Sequence, residues 1–510
     1  MLFNSFEFLF CFLPVTVAGF FLIASRGYRR GAVVWLVVAS LFFYAWWNPR
    51  YLVLIGASIG FNFIIGRALA ARAGGPRAAT PMLTAGIAGN LLLLGYFKYA
   101  NFAIDNAGLV FGHAINFAPV VLPLAISFFT FQQIAFLVDA RRGEAHEYSF
   151  LHYCLFVTFF PQLIAGPIVH HKEMMPQFVR DATYRPDVAR IAAGVSLIVV
   201  GLFKKVVIAD SCALFVDPVF AAAEAGASVT FFESWGAALA YTLQIYFDFS
   251  GYVDIAIGAA RLFGIDLPMN FNSPYKARSI SEFWRRWHMT LSRFLRDYLY
   301  IPLGGNRAGG TRRYINLMIV MLLGGLWHGA GWTFVFWGFL HGLYLVVNHG
   351  WRYVVRRVRL PNVPPSVSAG ASWALTFVVV VIAWVFFRAE SFAGAWGLVG
   401  SMVGHGFGNL PDVLAGRIGA FEGYLMANGV SFDARLVIEP RVWLIGIPTI
   451  VLGTLIALAL PNSNELFDPR RRDRVLAWRP GSASLAIIFV MFMLVVVNLF
   501  RVSPFLYFNF

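Results

Sequence analysis

The chain of 510 residues is 59% hydrophobic and 17% aromatic but only 13% charged, and its mean hydropathy is +0.69. Soluble domains carry roughly 25% charged residues, so this composition excludes an ordinary soluble protein and indicates a polytopic membrane protein. The net charge of +15 is not evidence for nucleic-acid binding, because the Lys and Arg residues gather in short loops between apolar segments.

Apolar runs long enough to cross a bilayer as helices recur from one end of the chain to the other. They predict an all-α membrane protein. The first run lacks a basic flank and carries Glu7, so we expect it to remain as the first helix rather than to be cleaved as a signal. The twelve runs lie near 6–25, 31–47, 51–71, 81–99, 119–138, 190–209, 229–247, 313–330, 332–349, 372–388, 442–460 and 483–500.

Arginine clusters follow alternate runs in the first part of the chain, whereas the loops between them are almost free of basic residues. The positive-inside rule makes the basic loops cytoplasmic. This orientation places the N-terminus and the C-terminus outside. The clusters are Arg26, Arg29 and Arg30; Arg67, Arg72 and Arg77; Arg141 and Arg142; Arg352–Arg359; and Arg470–Arg474.

Two regions depart from the pattern of simple helices. The centre, roughly 139–310, holds several prolines among short apolar pieces, and irregular backbone at membrane depth requires cover from protein or a water-filled cavity. A re-entrant segment is therefore predicted at 156–167. The weakly hydrophobic part near 391–440 is predicted to be an external loop with partial helix.

Residues 279–303 predict an amphipathic helix that lies at the membrane interface. Ser279 or Ser281 can cap this helix, with Glu282 placed for a capping box. Lipid-headgroup anchoring explains the arginines and tryptophans but not His288, which falls on the apolar face and should point into the protein. That face carries Trp284, Trp287, His288, Leu291, Phe294, Leu295 and Tyr298, and the rest carries Arg285, Arg286, Arg293, Arg296 and Asp297.

His328 lies in the apolar, glycine-rich stretch 322–338. An ionisable side chain at membrane depth is costly and usually marks a reaction site or a pathway, although a histidine can also serve as structural glue between helices. The surrounding glycines, such as Gly325 and Gly329, permit either close helix packing or room for a substrate. His341 and His349 are interpreted as ordinary interfacial residues. A metal site involving histidines and a carboxylate stays open, but no HExxH or CxxC spacing supports one.

Two acids, Asp248 and Asp254, lie in an apolar segment with Gln244 one turn earlier. Such residues suit a proton or cation pathway, and they equally suit caps of broken helices. The pattern does not distinguish these alternatives.

Six segments of the chain, including those around His288 and His328, resemble the membrane-bound O-acyltransferase family. They resemble the branch that contains the alginate O-acetylation membrane protein and the D-alanyl transfer protein of teichoic acids. The resemblance covers essentially the whole chain and implies a single domain, 1–510. It implies a ring of about 11–13 transmembrane helices with re-entrant and interfacial helices around a thinned central active site. The matching segments are 123–132, 159–168, 246–258, 270–275, 279–307 and 322–338, and the C-terminal SPFLYFNF resembles the alginate branch.

The resemblance also implies the reaction. His328 matches the family's essential histidine and would be the general base on an acceptor hydroxyl; His288 would orient the donor or stabilise the oxyanion. Candidate substrate contacts are Arg285 and Arg286, which could attract donor phosphates, and Trp327 and Trp332.

The implied donor is acetyl-CoA or an acyl-carrier thioester, which is a substrate rather than a bound cofactor, and no metal is implied. The implied partners are a periplasmic acetyltransferase, an exopolysaccharide such as alginate and membrane lipids, with no nucleic acid, in a bacterial inner membrane. Two alternatives remain: transfer of D-alanine or another acyl group to a cell-wall polymer, and a proton-coupled transporter that uses Asp248, Asp254 and the histidines. The hydropathy pattern shows no inverted repeat of the kind that many transporters have.

Overall fold

A computed structural model describes residues 1–72, 79–145, 149–164, 166–307, 309–358, 364–404, 409–412, 415–434, 437, 439–468, 477–499 and 505–506. The described chain is mainly helical. Its first half contains α1 (Leu13–Ser25, after a π-helical turn Glu7–Phe12), α2 (Arg29–Ala45), α3 (Tyr51–Ala70), α4 (Thr80–Leu94), α5 (Ala100–Phe111), α6 (Ile126–Arg141), α7 (Phe150–Thr158), α8 (Phe160–Leu163), α9 (His171–Met174), α10 (Val188–Leu202), α11 (Asp210–Glu224) and α12 (Phe231–Leu262).

The second half begins with two short helices and ends with long ones. The elements are α13 (Ile280–Trp284), α14 (Met289–Leu295), α15 (Gly310–His328), α16 (Trp332–Arg357), α17 (Pro365–Arg388), α18 (Phe392–Met402), β1 (Asn409–Pro411), α19 (Ala420–Ala427), β2 (Ser431–Ala434), α20 (Pro440–Ala459), α21 (Ser463–Leu466) and α22 (Ser482–Asn498).

The predicted apolar runs coincide with long helices, which confirms an all-α polytopic membrane protein. Six helical stretches within the described chain are long and apolar enough by themselves to cross a membrane. Two of them continue well past the predicted end of the run. Gly95–Tyr99 joins α4 to α5 and Phe203–Ala209 joins α10 to α11, each as a π-helical turn. The predicted runs ended at these turns.

The centre of the molecule is α12, which is buried around almost its whole circumference. Helix α10 packs antiparallel against it through glycines. A Cβ on Gly201 would approach the carbonyl oxygen of Gly251, and a Cβ on Gly194 that of Gly258. Such close backbone contact is the small-residue packing of membrane helices.

The predicted re-entrant segment at 156–167 contains the end of α7 and the whole of α8. The helix breaks at Phe159, and side chains satisfy the irregular backbone: Gln132 and Gln162 both donate to the carbonyl of Phe156, at 2.7 Å in each case. Lys172, just after the segment, pairs with Glu144, just before it. The residues before and after this segment therefore lie on the same side of the protein.

Two of the basic loops contact other parts of the chain. Arg29 after α1 pairs with Asp181 at 2.6 Å, and Arg352 near the end of α16 donates to Ser279 Oγ at 3.2 Å. We call the surface formed by the predicted cytoplasmic loops the basic face. The predicted cytoplasmic residues Arg77, Arg359 and Arg470–Arg474 lie outside the described residues.

The region 391–440 contains more structure than the predicted loop with partial helix. Helix α18 packs on α11 and α12, and Ser391 caps it by accepting a hydrogen bond from the Gly394 N–H. Strands β1 and β2 pair in parallel around α19. This small sheet is the one departure from an all-α fold within the described residues.

Candidate functional site

His288 and His328 lie next to each other at the centre of the protein, although 40 residues separate them in the sequence. Their ring centroids are 6.3 Å apart, and the side chains are 0% and 3% exposed. The predicted inward orientation of His288 is confirmed. The distance is too long for a direct hydrogen bond between the rings, but one substrate oxygen could contact both.

The predicted single helix over 279–303 is wrong. The chain forms α13, turns, and forms α14, and His288 between them adopts a left-handed φ of 40°. Asn270 replaces the lost helical hydrogen bonds, because its main-chain oxygen accepts from the Met289 N–H and its side-chain oxygen from the Thr290 N–H. Ser279 caps α13, whereas Glu282 accepts from the Arg278 N–H rather than closing a capping box.

Asn270 fixes which nitrogen of His288 carries the proton. The Thr290 main-chain N–H, a donor, lies 3.1 Å from Asn270 Oδ1, so this atom must be the amide oxygen. His288 Nδ1 is also 3.1 Å from that oxygen and must therefore donate to it. In the neutral imidazole, Nε2 then holds the lone pair, and it is buried without a hydrogen-bond partner among the described residues.

His328 is the last residue of α15 and its ring is enclosed by aromatic groups. The ring centroids of Trp327, Trp337 and Phe387 lie 5.0, 5.1 and 5.3 Å from it. Within the described part of the chain, the indole nitrogens of Trp327 and Trp337 are buried donors without an acceptor. A polar group of a substrate could accept from them.

Gly325 serves helix packing. A Cβ there would overlap the main-chain oxygen of Phe334 in α16, and one on Gly338 would overlap the oxygen of Met321 in α15. A Cβ on Gly329 would overlap the ring of Phe334. Of the two predicted roles, close helix packing therefore holds at Gly325 and Gly329.

The remaining predicted substrate contacts are more exposed than the two histidines. Trp332 is 56% exposed, and its indole donates to Asn106 Oδ1 at 2.7 Å. Arg285 is exposed. Arg286 donates to Glu282 Oε1 at 2.8 Å and to the main-chain oxygen of Asn272.

The bonds around Glu282 hold Arg286 in place. Burial disfavours the carboxylate, but the Arg278 N–H and the Arg286 guanidinium outweigh this and hold the pKa of Glu282 below its usual range. Arg286 thus has a structural role although its side chain is still 30% exposed, and Arg285 is the more exposed residue of this pair.

His341 is not the ordinary interfacial residue that we predicted. It is 0% exposed, accepts a hydrogen bond from the Trp284 indole at 3.2 Å, and packs against Trp337. Its spacing of four residues from Trp337 and from Leu345, both buried, is the signal that could have shown this. His349 is half-buried, close to Arg313.

The two predicted buried acids are confirmed as buried, and both meet lysines of the π-helical turn Phe203–Ala209. Asp254 pairs with Lys204 at 2.6 Å, and Asp248 with Lys205 at 2.8 Å. The two predicted roles were a proton or cation pathway and the capping of broken helices. These ion pairs favour the second, structural role. Among the described residues no three His, Cys, Asp or Glu side chains come together as a metal site would require.

Comparisons with known proteins identify the family of this chain. A model described as "MBOAT, membrane-bound O-acyltransferase family" matches residues 138–389. The peptidoglycan O-acetyltransferase of Helicobacter pylori is 41% identical, over 100% of this chain and 98% of that protein. The "Probable alginate O-acetylase AlgI" of Pseudomonas aeruginosa is 41% identical, over 81% of this chain and 77% of that protein. The teichoic acid D-alanyltransferase of Bacillus subtilis is 27% identical, over 50% of this chain and 71% of that protein.

Proposed function

The chain belongs to the membrane-bound O-acyltransferase family, and from this premise we propose that it passes acetyl groups from a cytoplasmic thioester donor across the membrane for O-acetylation of an exported polysaccharide. The observation that carries the proposal is the buried pair of His288 and His328. Two buried imidazoles whose ring centroids are 6.3 Å apart suit proton transfer during acyl transfer.

His328 acts as the general base. It takes the proton of an acceptor hydroxyl while the hydroxyl oxygen attacks the thioester carbonyl carbon. When the tetrahedral intermediate collapses, the carbon–sulfur bond breaks and His328 returns the proton to the leaving sulfur. The products are an acetyl ester and a free thiol, and the histidine is regenerated.

His288 orients the donor. Because its Nδ1 donates to Asn270, the free Nε2 of the neutral ring accepts hydrogen bonds and cannot donate one to an oxyanion. Amide N–H groups of a pantetheine arm, which coenzyme A and carrier proteins share, are suitable donors to it. The N–H donors beside His328 belong to Trp327 and Trp337, and they are better suited to the developing oxyanion than His288 is.

The basic face is the cytoplasmic side in this proposal, which leaves the N-terminus outside. Its arginines follow the positive-inside rule, and the accessible Arg285 can attract phosphates of acetyl-CoA or of an acyl-carrier arm. The acetyl group leaves on the opposite side of a bacterial inner membrane, where a periplasmic acetyltransferase completes the transfer. Neither a bound cofactor nor a metal takes part.

The polymer is a polysaccharide of the cell envelope, such as alginate or peptidoglycan. Relatives named for each are 41% identical to this chain, and the one named for peptidoglycan aligns over the full chain. D-alanyl transfer is less favoured, because the relatives named for it are only 27–28% identical over about half of the chain. Proton-coupled transport loses its main support, since the two acids are held by lysines.

One assay tests the proposal. Membranes that contain the protein are given acetyl-CoA labelled in the acetyl group, and the labelled products are identified. His328→Ala should lower the rate of label transfer by about 10²–10⁴, the usual contribution of a general base. His113→Ala replaces an exposed histidine and should leave it unchanged. Wild-type transfer by His328→Ala at equal membrane abundance would contradict the mechanism.

A further inference from the structure

The C-terminal end of α15, which carries His328, is held by side chains from another helix. A helix leaves its last four carbonyl groups without intrahelical partners. Here Gly329 N–H donates to the carbonyl of Gly325, and Tyr99 OH donates to that of Leu326 at 2.9 Å. The two that remain, those of Trp327 and His328, both accept from Lys98.

Lys98 is an unusual residue to find at this position. Its side chain is only 8% exposed, and no ion pair formed by the described residues includes it. Its Nζ lies 2.5 Å from the carbonyl oxygen of Trp327, 3.1 Å from that of His328 and 3.4 Å from Ser127 Oγ. Burying an ammonium group without a carboxylate is costly, and the negative end of a helix dipole is the feature that favours it here.

A π-helical turn brings Lys98 to the C-terminal end of α15. Lys98 and Tyr99 belong to the π-helical turn Gly95–Tyr99 between α4 and α5. π-helical turns inside α-helices are frequent at functional sites. In this turn two consecutive side chains reach three consecutive carbonyls of α15, including the carbonyl of the proposed base itself.

We infer that Lys98 is a positioning residue for His328. By holding the carbonyls of Trp327 and His328 it fixes the last turn of α15 and hence the direction in which the imidazole leaves the backbone. Lys98 acts through His328 and does not contact the reacting atoms. The inference rests on the proposed function, because it assigns a purpose to the placement of the general base.

The test compares Lys98→Met with a matched lysine elsewhere. Lys276 Nζ donates at 2.7 Å to the carbonyl of Leu460, which follows the last residue of α20, so Lys276→Met removes the same kind of bond far from His328 in the sequence. We expect Lys98→Met to lower kcat by about 10²-fold, as a misplaced catalytic group does. The KM for acetyl-CoA should be unchanged, because no substrate contact is lost. Lys276→Met should keep the wild-type kcat.

Rescue separates positioning from a merely structural role. Lys98→Arg retains donors for both carbonyls and should recover most of kcat. Each kcat is measured per folded protein, so a general loss of stability does not count as an effect. If Lys98→Met does not accumulate in membranes, Lys98→Gln, which can donate to one carbonyl, should show a reduced kcat. A wild-type kcat in Lys98→Met or Lys98→Gln overturns the inference, as does a raised KM with kcat unchanged.

His328→Ala is assayed in the same experiment. If His328→Ala remains active, the proposed function fails together with this inference. If His328→Ala is inactive while Lys98→Met is fully active, only the role of Lys98 is refuted.

Discussion

Replacement of Asn270 tests how the structure controls His288. The side-chain oxygen of Asn270 accepts from His288 Nδ1–H, from the Thr290 N–H and from the Thr290 hydroxyl, at 3.1, 3.1 and 2.8 Å. Asn270→Leu has a similar size but offers no acceptor. The imidazole would then be free to rotate and to move its proton to Nε2.

The expected size of the effect follows from these bonds. The hydroxyl can turn to another partner, but the two N–H donors are fixed and buried. Each buried donor without a partner costs about 1–3 kcal/mol, so the two together should destabilise the protein by about 2–6 kcal/mol. Loss of the orientation of His288 should lower kcat by about 10²-fold, the effect of misplacing a catalytic group.

Asn270→Asp is the matched variant. It keeps an acceptor oxygen at the same position and replaces the amide nitrogen, which has no partner among the described residues, by the second oxygen of a carboxyl group. Transfer of labelled acetyl groups and the melting temperature in detergent are measured for both variants. Asn270→Asp should retain a clearly higher kcat than Asn270→Leu. The reasoning is refuted if Asn270→Leu matches the wild type, or if the two variants lose activity equally.

Two further predictions concern packing and the basic face. Gly325→Ala should lower the melting temperature and kcat together, because overpacking against a main-chain oxygen costs about 1–3 kcal/mol and would displace His328. In the control Gly324→Ala, the nearest atom to the new methyl group would be Leu295 Cδ1 at 3.4 Å, so neither quantity should change much. Equal effects of the two substitutions would contradict the packing argument. Arg286→Ala should lower the melting temperature, because it removes the bonds to Glu282. Arg285→Ala should leave the melting temperature unchanged and raise the KM for acetyl-CoA. A lower melting temperature in Arg285→Ala alone would count against these roles.

The helices could be predicted from the sequence because the bilayer imposes a simple rule. A span needs an uninterrupted apolar run, and this requirement is local, so each predicted run coincides with a helix. The exceptions were the continuations of two helices beyond the predicted runs, into α5 and α11, through the π-helical turns at 95–99 and 203–209. The lysines of these turns, Lys98, Lys204 and Lys205, are held by partners from other helices.

The break at His288 could not be predicted in this way. Apolar residues keep a helical spacing through Trp284, Trp287 and Leu291, and no Gly or Pro marks the left-handed residue. The bend depends on Asn270, whose main-chain and side-chain oxygens replace helical acceptors. Asn270 lies 18 residues earlier, in a segment without any periodicity of its own.

Buried polar atoms without partners mark the proposed reaction site more specifically than burial of the histidines does. Buried polar atoms are normally satisfied, and each exception needs an explanation. Around the two histidines, the oxygen of Asn270 and the ammonium of Lys98 are satisfied by distant parts of the chain. His288 Nε2 and the indole nitrogens of Trp327 and Trp337 are not, within the described residues. His288 Nε2 as an acceptor and the two indoles as donors suit the amide N–H and the carbonyl oxygen of the proposed thioester arm, and the amide nitrogen of Asn270 is a further donor without a partner among the described residues. This pattern of satisfied and unsatisfied groups depends on tertiary contacts, so no motif in the sequence could have displayed it.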